Sequence, residues 1–121
     1  MRCLIVDDNV SFRDAARRML GGGGITVVAV AANSGEALRL CRELRPDVAL
    51  VDVALGAESG FELAEQLHRT ELPPAVILIS TYAEQDLTEM IAASPAVGFV
   101  PKFALSAAAV SDVLATAIPD R

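Results

Sequence analysis

A doubly wound α/β domain is the fold this sequence predicts, on three observations. Five short apolar runs recur along the chain without polar alternation, as strands buried on both faces do. Segments with helical spacing of apolar residues separate them. Three of the runs end in charge: Leu4-Ile5-Val6 meets Asp7-Asp8, Val48-Ala49-Leu50-Val51 meets Asp52, and Val97-Gly98-Phe99-Val100-Pro101 meets Lys102. A fourth, Val76-Ile77-Leu78-Ile79, ends in the hydroxyls Ser80-Thr81. Strands alternating with helices build a parallel sheet through right-handed crossovers. The carboxyl ends of its strands then share one edge, where such sheets bind ligands.

Taken in order, the first strand is expected near residues 2–6. Phe12, Ala15, Ala16, Met19 and Leu20 follow an i, i+3, i+4, i+7, i+8 pattern and mark the first helix. Asp7 and Asp8 are candidates to cap it. Gly21-Gly22-Gly23-Gly24 ends it and reads as a flexible terminator. It is not a phosphate-binding loop, because it follows a helix and no Lys-Ser or Lys-Thr comes after it. The second strand falls near 26–31. Asn33 and Ser34 are capping candidates for a second helix with the stripe Ala37, Leu38, Cys41 and Leu44. The third strand covers 48–51. Leu63, Ala64 and Leu67 mark the third helix, with Glu65 and Arg69 an exposed i, i+4 pair. The fourth strand covers 75–80, and Leu87, Met90 and Ile91 mark the fourth helix. The fifth strand covers 97–101. The last helix, capped by Ser106, carries Val110, Val113, Leu114 and Ala117, and Pro119 ends it.

At 121 residues the chain reads as one domain, 1–121. Hydrophobic residues make up 53%, enough for a core of its own. A net charge of −6 argues against a nucleic-acid surface. No apolar run approaches the roughly 20 residues that cross a bilayer. The N-terminal apolar stretch is too short for a signal peptide, so a cytoplasmic location is expected. Cys3 and Cys41 are too few and too far apart for a disulfide framework or a zinc site, and read as small buried hydrophobes. His68 reads as solvated. Lys102 is the single lysine, because the other nine basic positions are arginine. Those arginines read as solvated charges, with Arg13, Arg17 and Arg18 a candidate docking stripe.

The charged edge holds the chemistry. Asp7, Asp8 and Asp52 converging there repel one another and couple their titrations. A cation relieves that repulsion, and a few hard oxygen donors with room for water and phosphate suit Mg²⁺, with Mn²⁺ a substitute. Asp52 is the better placed nucleophile toward a phosphoryl group. Ser80 can donate to a phosphate oxygen, and Lys102 can pair with another as a compact charge. Such a transfer relies on positioning and electrostatics and needs no general base.

These residues resemble the receiver (response regulator) domain of two-component signalling over essentially the whole chain. The matching segments are Leu4-Ile5-Val6-Asp7-Asp8-Asn9, Pro46-Asp47-Val48-Ala49-Leu50-Val51-Asp52-Val53, Ser59-Gly60-Phe61-Glu62-Leu63, Ile79-Ser80-Thr81-Tyr82 and Gly98-Phe99-Val100-Pro101-Lys102. Each is weak alone; together, in order and at these separations, they are specific. The run Val100 to Ser106 looks like the receivers of LuxR-type transcription regulators.

The resemblance implies a flavodoxin-like strand order, 2-1-3-4-5. It implies that Asp52 is the phosphoacceptor for a sensor histidine kinase. It implies that Asp8, Asp52 and the backbone carbonyl of Ala54 bind Mg²⁺ directly, with Asp7 acting through water. Ser80 and Lys102 are then the phosphate-binding pair, and Ser80 and Phe99 the switch residues. Phe99 also reads as plain core packing. A homodimer, and a DNA-binding output domain beyond this chain, are compatible partners; no direct nucleic-acid or membrane binding by this chain is implied.

Departures are Leu55-Gly56-Ala57-Glu58 in the loop after Asp52, where Gly56 should loosen the backbone, and Phe103 in place of the usual proline. By the same resemblance, Ala54 and Tyr82 stand at positions that tune dephosphorylation in the family. The chain is therefore expected to be a signalling domain, not an enzyme on other substrates. One rival is a Mg²⁺-dependent phosphohydrolase, which needs an acid two residues after its nucleophile; Ala54 stands there. The other is a receiver-like module that works without phosphorylation, which the retained acids, Ser80 and Lys102 oppose.

Overall fold

The computed structural model describes residues 1–82 and 84–117. Five strands, β1 (Arg2–Val6), β2 (Thr26–Ala31), β3 (Val48–Asp52), β4 (Ala75–Ser80) and β5 (Gly98–Pro101), form one parallel sheet in the order β2-β1-β3-β4-β5. Helices α1 (Val10–Gly21), α2 (Ser34–Leu44), α3 (Gly60–His68), α4 (Thr88–Ala93) and α5 (Ala107–Ala117) connect and cover them. The expected order 2-1-3-4-5 is the observed one.

The sheet has two cores because a strand sends alternate side chains to opposite faces. Leu4, Val6, Ala49, Val51, Val76, Leu78 and Phe99 pack with α2 and α3, among Ala37, Cys41, Leu63, Ala64 and Leu67. Cys3, Ile5, Val48, Leu50, Ile77, Ile79 and Val100 pack on the other face with Ala16, Leu20 and Val110. This two-sided burial explains the unbroken apolar runs.

Side-chain caps start four of the helices. Asn9 Oδ1 accepts from Phe12 N at 2.9 Å, so Asn9 rather than Asp7 or Asp8 caps α1. Asn33 caps α2, Ser59 caps α3, and Ser106 Oγ accepts from Ala109 N at the start of α5. Residues 118–121, including Pro119, and the side chain of Ala117 lie outside the described residues.

Several expectations need correction. Met19 and Met90 are exposed, at 43% and 53%, because each lies at the margin of its apolar stripe. The i, i+4 ion pair among the described residues is Arg39–Glu43, not Glu65–Arg69; Arg69 terminates α3, where its N–H donates to Glu65 O. Arg2 is not simply solvated: its guanidinium donates to the carbonyls of Leu44 and Arg45. The tetraglycine is more than a loose terminator. A Cβ at Gly23 would lie 2.2 Å from Ala107 Cβ, so the loop packs directly on α5, and Gly24 holds φ +88°. In the loop after Asp52, Ala54–Leu55 and Glu58–Ser59 pair as a short antiparallel ribbon around Gly56, whose φ is +62°.

Candidate functional site

Strand register brings the charged residues level. Val6 pairs with Val51, so Asp7 and Asp52 both emerge one step later at the carboxyl edge. Asp52 pairs with Ile79 and Ser80 with Pro101, which sets Ser80 and Lys102 beside them. One carboxylate oxygen from each of Asp7, Asp8 and Asp52 lies within 4.8 Å of the others. Asp7 is wholly buried, Asp52 is 6% exposed, and Asp8 faces solvent.

Each acid is held differently. Asp7 Oδ1 accepts from Asn9 N at 2.8 Å, and its carbonyl accepts from Arg13 Nη1 at 3.1 Å. Arg13 is thus tied to the site rather than free in a docking stripe. Asp52 Oδ1 accepts from Ala54 N at 3.1 Å. Gly60 approaches Asp52 from behind: a Cβ there would lie 2.0 Å from the Asp52 carbonyl oxygen. A Cβ on Gly56 would lie 3.5 Å from Asp8 Oδ2, which puts the ribbon's turn against the exposed acid.

Lys102 ties the cluster together. Its Nζ donates to Asp52 Oδ2 at 3.0 Å and lies 2.6 Å from Asp7 Oδ2. The second contact balances charge but is not aligned as a hydrogen bond, so the buried Asp7 Oδ2 has no aligned donor. Lys102 opens a 3₁₀ turn (Lys102–Ala104) that carries the exposed Phe103, and every peptide bond among the described residues is trans. Ser80 is buried; its Oγ accepts from Tyr82 N at 2.9 Å, and the Tyr82 ring is exposed. Phe99 is 8% exposed, in the core shared with α2 and α3. Ala54 sits at the start of the ribbon.

The electrostatics follow from burial. Burial pushes the Asp52 carboxyl above the ordinary carboxylate range, and the Asp7 charge adds to that. The bonds from Lys102 and Ala54 oppose the shift without cancelling it. For Lys102 burial favours the neutral form, yet its pairing with Asp7 and Asp52 leaves it above the usual lysine value. The two partners shift in ways a simple ion pair does not give, since pairing alone would lower the acid. Lys102 answers to two carboxylates, whereas Asp52 has one ammonium to share.

With all four groups ionised, three carboxylates against one ammonium leave two negative charges at the site. Hard oxygen donors and an excess of two charges fit a divalent cation such as Mg²⁺. Cys3 and Cys41 stay outside this chemistry: burial pushes their thiols up to about 12 and about 11. His68 is exposed at the end of α3.

One residue at the site escaped the sequence reading. The Phe12 ring lies under the Lys102 ammonium, 4.5 Å from Nζ to the centroid. Phe12 was legible only as part of the α1 stripe, since nothing local in the sequence connects it to the fifth strand.

The sequence model of the response regulator receiver domain family matches residues 3–112. The response regulator GacA of Pseudomonas viridiflava is 32% identical over 103 residues, covering 84% of this chain and 48% of that protein. The chain thus spans about half the length of this curated relative. A two-component response regulator of the LuxR family from Aurantimonas sp. SI85-9A1 superposes with a TM-score of 0.83 at 28% identity, covering 96% of this chain and 84% of that one. A response regulator from Burkholderia pseudomallei, solved with a phosphorylated aspartic acid, a calcium ion and citrate, gives a TM-score of 0.83 at 25% identity. That match covers 96% of this chain and 68% of the other.

Proposed function

The chain belongs to the response regulator receiver domain family, and on that footing we propose that Asp52 accepts a phosphoryl group from a phosphohistidine of a sensor histidine kinase. The observation that carries the reading is the Lys102 ammonium held between Asp7 and Asp52 at the carboxyl edge of the sheet. An Asp52 oxygen attacks phosphorus, and the bond from phosphorus to the imidazole nitrogen breaks with its electron pair staying on nitrogen. Lys102 takes one phosphate oxygen as a point charge, and the Ser80 hydroxyl donates to another.

Asp8, Asp52 and the Ala54 carbonyl would hold Mg²⁺, with Asp7 acting through water. The ion, when bound, offsets the charge brought together by carboxylate and phosphoryl oxygens. The Burkholderia pseudomallei regulator, solved with a phosphorylated aspartic acid and a calcium ion, supports an aspartyl phosphoacceptor here.

Movement of Ser80 toward the phosphate and rotation of Phe99 then shift an equilibrium between two surface states. The output is transcription regulation, through a C-terminal DNA-binding domain or a homodimer, in the cytoplasm. Among the described residues no helix is long and apolar enough to cross a membrane.

Borohydride reduction after treatment with a small phosphoryl donor and Mg²⁺ tests the acceptor, since it converts an aspartyl phosphate to homoserine. Peptide mapping should find that conversion at residue 52. Conversion at Asp7 or Asp8 instead would overturn the assignment.

A further inference from the structure

We propose that Phe12 is a positioning residue for the Lys102 ammonium, a role that rests on the phosphoacceptor reading above. The ring centroid lies 4.5 Å from Nζ, within the range where an aromatic face attracts a cation. An ammonium has three donors and no acceptor. Asp52 Oδ2 takes one donor at 3.0 Å, and Asp7 Oδ2 attracts the charge without an aligned hydrogen bond. The π face supplies a third, water-free side to a group whose side chain is 14% exposed.

One short segment builds this arrangement. Asp7 Oδ1 accepts from Asn9 N, and Asn9 Oδ1 accepts from Phe12 N. The carboxylate that attracts Lys102 and the ring beneath it are therefore fixed to each other within six residues, through the helix cap. Arg13, next after Phe12, closes the same segment by donating to Asp7 O. An incoming phosphoryl group competes for the ammonium's donors. With the ring in place the ammonium stays desolvated and aimed at the same edge, and the low local dielectric strengthens its attraction for the phosphate. Phe12, on α1, also packs against the core, so its volume and its π face have to be separated.

Phe12→Leu keeps an apolar side chain and removes the π face; Phe12→Tyr keeps the ring. Because Lys102 is the single lysine, protein labelled with ¹³C-lysine gives one Cε–Hε signal. In the wild type that signal should be shifted by the ring current of Phe12, and in Phe12→Leu it should move to its ordinary position. Phosphoryl uptake by unlabelled protein should slow about three- to tenfold in Phe12→Leu, with Phe12→Tyr restoring the rate relative to leucine. The thermal midpoint of Phe12→Leu, read alongside, shows that the leucine variant is folded. A labelling wild type matched in rate by a folded Phe12→Leu overturns this proposal alone, as does a lysine signal indifferent to the substitution. A wild type that takes no phosphoryl group overturns the phosphoacceptor reading and this proposal with it.

Discussion

The Lys102 ammonium donates to Asp52 Oδ2 at 3.0 Å across fifty residues of chain, joining the end of β5 to the end of β3. The same ammonium lies 2.6 Å from the wholly buried Asp7 carboxylate. One cation therefore serves two buried acids, and the site keeps an excess of negative charge.

Removing that cation should cost stability. Lys102→Ala leaves Asp7 and Asp52 without their ammonium, and loss of one partner from a buried pair costs on the order of 3 kcal/mol. The deficit should be full at pH 7 and shrink as acid protonates Asp52, whose carboxyl burial holds above the ordinary range. Urea unfolding at pH 7 and in acid measures it. A deficit that does not change with pH would assign the loss to packing of the lysine stem.

Asp52→Asn should raise the metal-free thermal midpoint at pH 7. Burial holds the folded Asp52 above its unfolded value of 3.8, so its ionisation opposes folding. The stability from protonated Asp52 is present below the unfolded value and lost as pH rises through the folded one. The gain in Asp52→Asn should therefore close toward acid. A lower midpoint than wild type at pH 7 would mean that pairing with Lys102 outweighs burial.

The alkaline limb reports Lys102. Its folded value lies above 10.5, so its contribution is complete below that pH and lost as pH rises through the folded value. Wild-type stability should fall more steeply there than that of Lys102→Ala. Parallel slopes would contradict the pairing.

Mg²⁺ should stabilise the folded chain, by about 2.7 kcal/mol at a hundredfold excess over Kd. Asp8→Ala, at an exposed position, should leave the metal-free midpoint close to wild type and remove most of the Mg²⁺-dependent rise. An undiminished rise in Asp8→Ala removes that acid from the metal site.

The glycines next to the site and far from it should respond oppositely. Gly60→Ala places a methyl 2.0 Å from the Asp52 carbonyl oxygen, a clash with backbone, and should be among the most destabilising single changes. Gly21→Ala meets nothing within 4 Å at the end of α1 and should gain about 0.5–1 kcal/mol. Equal midpoints for the two variants would contradict the close approach at Gly60.

Much of this was legible in the chain because the strands are buried on both faces. That burial makes them continuous apolar runs and leaves Asp7, Asp52, Ser80 and Lys102 as abrupt polar ends at the strand termini. What escaped is non-local or short. The Phe12–Lys102 contact joins α1 to the end of β5, and no local pattern announces it. The ribbon after Asp52 has two-residue strands, below the length at which alternation can be read. Met19 and Met90 fit their helical spacing yet face solvent, since spacing alone does not set the edge of a buried stripe.

The most direct measurement is intact mass after incubation with a small phosphoryl donor, with and without Mg²⁺, for wild type and Asp52→Asn. One added phosphoryl group that requires both Mg²⁺ and Asp52 is the predicted result. An adduct that persists in Asp52→Asn, or that forms equally without a divalent cation, would contradict the account.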